Sequence, residues 1–319
     1  MKVVNKKMLK YFETTLDYIR SIVILLIKWK GDDFLQEKIL YKKVIKSIVN
    51  ALKEYMKNLK IEFSEDKDDC KVILEYLNFK EKIIIPFPRT VIFSKDLKKK
   101  INNSIFTPKT EELIYHFKDL FEKGSNVNNH LSKSIFSGIQ QDILFNNWNI
   151  KHIHLNEREA NSKEEMGENR GDFLLFCIII EKYVFFLDVR EHPHGAGFTS
   201  YSFLEIIFNN DWMQYIGFNE LNDIIDIAFK VTDDSDIYKL YNAHVNIIFK
   251  LGNKFFINVN GVRSSGDKGK NVDRASEIVR YIKENCDNFS DNTEYKVTFF
   301  KEENLFSVQL NDKYFSFQI

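Results

Sequence analysis

Two short histidine pairs, His152-Ile153-His154 and His192-Pro193-His194, carry the side chains best suited to moving protons near neutral pH. Imidazole titrates near pH 6.5, so two of them can divide the roles of proton acceptor and donor. The first pair lies in the alternating segment Ile150 to Leu155, where a strand would set both rings on one face. The second pair follows an apolar run ending in Asp188, Arg190 and Glu191. If the two strand ends are neighbours, imidazoles, a carboxylate and a guanidinium converge on one spot. Phosphate binding with acid/base catalysis is one use of such a set, and ligation of a divalent metal by His152, His154, Asp188 and His192 is another. The bland alternative is that the histidines fill half-buried polar positions and that Pro193, Gly195 and Gly197 simply make a loop.

The elements that must position these residues can be read from periodicity. Residues 4–30 and 34–58 carry apolar positions at helical spacing, broken at Gly31-Asp32-Asp33. Lys60 to Ser64, Val72 to Phe79 and Lys82 to Phe93 alternate or run apolar like strands, with Pro86 and Pro88 marking an edge. The lysine-rich segment Lys95 to Ser104 reads as a linker. Beyond it, helices are expected over Thr110 to Lys123, with Thr110 as N-cap, and over Leu131 to Asn147. The period then changes to two in Ile150 to Leu155, Asp172 to Ile180 and Tyr183 to Val189, the last two joined by Glu181-Lys182 as a hairpin. Phe198 to Phe208 returns to helical spacing. A hairpin (His244 to Lys250, Phe255 to Asn260), a helix (Asp273 to Glu284) and three short strands complete an α+β chain. Three modules are expected, at residues 1–104, 105–236 and 237–319.

The order helix, helix, strand, polar loop, strand, tight turn, strand across about residues 110–210 resembles the RelE/ParE-like toxin fold, in which two helices pack on an antiparallel sheet. The likeness rests on Ile150 to Leu155, Phe173 to Phe176 and Val184 to Val189. It implies metal-independent RNA cleavage, with RNA or the ribosome as target and a protein antitoxin or defence-system component as partner. Matched by position, the catalytic candidates are His152 and His154 on the first strand, Arg170 before the second, and Arg190, His192 and His194 after the third. The acidic loop bearing Glu157, Glu159, Glu164 and Glu165 departs from that pattern. The expectation is an RNA-cleaving effector of bacterial stress response or phage defence. The alternatives are a non-enzymatic binding or assembly protein and a metal-dependent hydrolase.

Elsewhere, Gly261 to Lys270 approaches a phosphate-binding loop but has Asp267 where the lysine belongs and Lys268 where the hydroxyl residue belongs. Arg263, Lys268, Lys270 and Arg274 are the candidates there for contact with a nucleic-acid backbone, against a solvated basic turn as the alternative. Asp233-Asp234-Ser235-Asp236 lacks the glycine and distal glutamate of a calcium loop. The 46 basic and 46 acidic residues cancel, which excludes a global field that would draw in nucleic acid or membrane. Cys70, Cys177 and Cys286 are odd in number and unpaired in spacing, as expected of a reducing cytoplasm. The apolar run Ile22 to Ile27 is far shorter than the ~20 residues a bilayer requires, so neither a membrane span nor a signal peptide is expected.

Overall fold

The computed structural model describes residues 39–156, 172–222, 224, 226 and 231–319. The helix expected over 4–30, Arg170 and the acidic positions 157–165 lie outside them. Among the described residues, eight helices and three small sheets make an α+β protein. α1 (Ile39–Asn58) presents Leu40, Val44, Ile48, Leu52 and Met56 inward at helical spacing. Val72 to Phe79, expected as a strand, belongs instead to α2 (Asp69–Lys82). The reason is burial on nearly every side: Val72, Ile73, Leu74, Tyr76 and Phe79 are all inside, which erases the 3.6-residue pattern. The cap betrays the helix, because the Asp68 side chain accepts from Lys71 N at 2.9 Å.

Of the other early strands, Lys60 to Ser64 contributes only an isolated bridge between Glu62 and Ser137. From Lys82 to Phe93 only β1 (Thr90–Phe93) pairs. The expected linker is α3 (Lys95–Asn102), capped by Ser94 and buried through Leu97. α4 (Pro108–Lys123) starts from Thr107 rather than Thr110, with proline at its first position, and ends at Gly124 in the left-handed region (φ 71°). The helix expected over Leu131 to Asn147 is broken into a 3₁₀ turn (Lys133–Phe136) and the short α5 (Ile143–Trp148). Gly138 marks the break: a Cβ there would lie 2.4 Å from the Glu75 carbonyl oxygen, so the two backbones meet where no side chain fits.

The central sheet has the order β1-β4-β3-β2, with β2 at Ile150–His154, β3 at Phe173–Ile179 and β4 at Tyr183–Glu191. β2, β3 and β4 are antiparallel, and β1 joins β4 in parallel. One face, with Leu175, Cys177 and Phe186, packs on α4 and Leu97. The opposite face, with Leu174, Phe176 and Phe185, packs on α6 (Tyr201–Asn209) and on a second sheet. That second sheet has the order β5-β7-β6, formed by Phe218–Glu220, Lys254–Asn258 and Ile248–Leu251, with α7 (Asp234–Asn242) beside it.

A separate core joins distant parts of the chain. α1 and α2 pack with α8 (Gly269–Cys286) and with the meander β8 (Tyr295–Phe300), β9 (Leu305–Leu310) and β10 (Lys313–Gln318). β1 pairs with β4 and β5 with β7, so elements associate across both of the expected boundaries, 104/105 and 236/237.

Candidate active site

Among the described residues β2 is an edge strand paired with β3, with His152 opposite Phe176 and His154 opposite Leu174. Strand alternation puts both imidazoles on the face shared with Phe176, their ring centres 6.2 Å apart. His192 follows β4, where its N–H donates to Asp172 O at 2.9 Å, and its ring stacks on His154 at 5.7 Å. His194 continues the row, 5.8 Å from His192, and is exposed. Phe198 closes it from the side, 5.5 Å from His152 and 5.7 Å from His192. The expected convergence of the two histidine pairs is therefore present.

A cavity of about 340 Å³ opens onto this row. His152, His154 and His192 line one side, while Ser132, Lys133, Gln140 and Asp142 supply much of the other. The segment from 132 to 142 that forms this second wall has no regular structure beyond one 3₁₀ turn, and a buried amine holds it. Lys82, from the last turn of α2, donates to Ser134 O (3.3 Å), Ser137 O (2.7 Å) and Gln140 O (2.6 Å). Burial lowers its pKa to about 8, against the opposing charges of Asp142, Asp267 and Glu62. Asp142 caps α5 by accepting from Phe145 N at 2.9 Å.

The first histidine is electrostatically distinct. His152 Nδ1 is buried with no hydrogen-bond partner among the described residues. Its pKa lies below the ordinary imidazole value, chiefly because burial penalises the cation. Asp142 opposes that shift, and the nearby charges of His192 and Lys151 add to it. On the opposite face of β2, Lys151 is lowered to about 7 by burial and by Lys268. Lys151 Nζ donates to the Glu81 and Lys82 carbonyls at 2.8 and 2.9 Å, so it closes the C-terminal end of α2.

Asp188 and Arg190 do not join the cavity. β3 lies between β4 and β2, and Asp188 is buried in an ion-paired group of its own. Lys100 Nζ bonds it at 2.7 Å and Arg190 Nε at 2.8 Å, while the Arg190 guanidinium also reaches Ser202 Oγ and covers the Phe203 ring at 3.9 Å. Among the described residues, no three His, Cys, Asp or Glu side chains are grouped to hold a metal ion.

In the segment from Gly261 to Lys270, Gly266 to Gly269 are buried in the protein, while Arg263 and Lys270 are exposed. Lys268 is buried and bonds Glu81 at 2.7 Å and Asn149 at 3.1 Å, so it is not available to a nucleic-acid backbone. Burial alone would raise the Glu81 carboxyl, but Lys268, Lys270 and Asn271 pull it below its ordinary value. The buried Asp267 accepts from Lys71 (3.0 Å), Asn78 (2.8 Å) and Gln141 (2.9 Å). Arg263 pairs with Asp273 at 2.6 Å, Lys270 stands 3.9 Å from Glu81, and Arg274 donates to Gln318 O at 2.6 Å. Trp148 is also interior, its Nε1 donating to Tyr241 Oη at 2.6 Å.

Sequence reasoning missed Lys82, Lys133, Asp142 and Phe198. Their only local signals are that Asp142 and Lys82 each stand before a short apolar run, a common pattern with no chemistry of its own. No protein-family model matches the chain, and neither curated proteins nor solved structures give a significant match. No described helix is long and apolar enough to cross a membrane.

Proposed function

We propose that the protein cleaves RNA by metal-independent acid/base chemistry in this cavity. The observation that carries the reading is the unbroken row of His152, His154 and His192 along one wall, facing Lys133 and Asp142. In such a reaction a base takes the proton of a ribose 2′-OH and the freed oxygen attacks the adjacent phosphorus. The 5′-oxygen leaves with a proton from an acid, and a 2′,3′-cyclic phosphate remains. His152 suits the base, because burial keeps its ring unprotonated at neutral pH. His192, partly exposed at the cavity, suits the acid, and His154 lies between them, edge-on to His152 and stacked on His192. Lys133 supplies a positive charge toward the developing phosphorane. RNA as the substrate follows the resemblance to RelE/ParE-like toxins, to which His152, His154 and His192 are matched by position only. The free thiols of Cys70, Cys177 and Cys286 suit a reducing cytoplasm, where transcripts are met.

The test is incubation of messenger RNA with the full chain in EDTA, compared with His152→Ala and His192→Ala. Wild-type protein is expected to leave cyclic phosphate ends, and each variant to be slower by about 10²- to 10⁴-fold. A 2′-deoxy substitution at the cleaved position should block the reaction. RNA that stays intact with wild-type protein, or is cut equally by the double variant, removes the proposal.

A further inference from the structure

β1 forms one edge of the central sheet. Thr90 N donates to Lys182 O and Ser94 N to Phe186 O, both at 2.9 Å, so the even-numbered residues of this strand face β4. In a parallel ladder the N–H and C=O groups of the intervening residues, Val91 and Phe93, then point away from the sheet. No described strand pairs with that side. A groove of about 330 Å³ runs along it, lined by Val91, Ile92 and Phe93 in succession. Consecutive strand residues alternate between faces, so one hollow that touches all three lies over the strand's edge and not over either face. Ile101 from α3 and Tyr115 from α4 form its side walls, with Lys98 and Lys118 at the rim.

We propose that this groove takes an extended segment of a partner protein, added beside β1 as a fifth strand, with acidic side chains reaching the lysines. Main-chain bonds to Val91 and Phe93 set the register, and the hollow between Ile101 and Tyr115 accepts an apolar side chain. Charge selects the occupant. The lining holds two lysines and no acid, and Lys99 follows on the same helix. Lys118 is already bonded to Glu122 at 2.5 Å, which leaves Lys98 as the principal contact for an incoming carboxylate. A second copy of this chain would bring its own Lys98 and Lys118 against the first pair, and that repulsion disfavours edge-to-edge dimers. The groove is remote in sequence from the histidine row, and the proposal stands or falls apart from the RNA reading.

The probe is a synthetic peptide of alternating glutamate and valine, seven residues long, added to the full chain. A lysine-for-glutamate version and a version with proline at its centre are the controls. Amide hydrogen exchange reports the edge and fluorescence titration reports affinity. The glutamate peptide is expected to slow exchange at Val91 and Phe93 by about tenfold or more, to weaken as salt is raised, and to bind about fivefold more weakly to Lys98→Glu. The proline version should give no protection, since it lacks a donor and breaks the strand. Four results would each overturn the proposal. They are unchanged exchange at millimolar peptide, equal binding of the lysine version, protection of both amides in the free chain, and a self-association that buries this edge.

Discussion

His152 combines a buried ring nitrogen with a place on an open cavity, and its protonation follows from both. The unfolded chain takes up a proton at this position near pH 6.5, whereas the folded protein resists until a lower pH. The stability His152 contributes is therefore present above about pH 6.5 and is lost as pH falls through the lower folded value. Two measurements check this. A titration followed by NMR should place the His152 ring below the free imidazole value, and wild-type protein should lose more stability between pH 7 and pH 5 than His152→Ala does. The same shift places the acidic limb of any cleavage profile below 6.5. At this scale the sequence showed a good deal: alternation alone set His152 and His154 on one face, and the run-out of β4 brought His192 to them. Asp188 and Arg190 were misplaced because spacing along one strand says nothing about which strand lies between it and the next. Lys133 and Asp142 come from a connection with no period, and only the fold brings it opposite the histidines.

At the scale of elements, the cavity depends on a wall that cannot hold itself. The segment from 132 to 142 is held by the Glu62–Ser137 bridge, by Gln141 on Asp267, by Gly138 against Glu75 and by one amine from α2. Lys82→Met keeps most of the side-chain volume but leaves three carbonyls without their donor. It is expected to cost about 3 kcal/mol in urea unfolding, and amide exchange should accelerate at 132–142 while α4 is unaffected. Wild-type stability should also rise with pH between about 8 and 10.5, because the unfolded chain keeps a Lys82 proton that the folded protein has released. The amphipathic helices α1, α4 and α8 were legible, since each has one buried stripe. α2 was not: a helix surrounded by core has no polar face to give it a period, and its apolar run reads equally as a buried strand. α3 was hidden by the opposite excess, four lysines around the single buried Leu97.

At the scale of the whole molecule, α1, α2 and the C-terminal meander share one core. Phe306 is fully buried, stacked on Phe299 at 4.4 Å and beside Phe317 at 5.6 Å, in the same cluster as Val44, Ile48 and Leu52 of α1. Phe306→Ala is expected to cost about 3 to 5 kcal/mol, and exchange protection should fall in α1 as much as in β9. Loss confined to β8–β10 would show that the two regions unfold independently. Asp267, bonded to Gln141 of the cavity wall, and Lys268, bonded to Glu81 of α2, tie this core to the wall, so the loop that looked like a phosphate cradle works as a clasp. Because α8 and β8–β10 complete the surface on which α1 and α2 pack, the order of synthesis matters. During synthesis, Val44, Ile48 and Leu52 lack the part of their core that residues 269–319 supply until those residues have been made. Lys82 bonds carbonyls of residues 134–140, but the α2 that carries it also packs on α8, so the support behind the cavity wall is completed last. A chain that stops before residue 269 therefore exposes apolar surface of α1 and α2 that the longer chain buries.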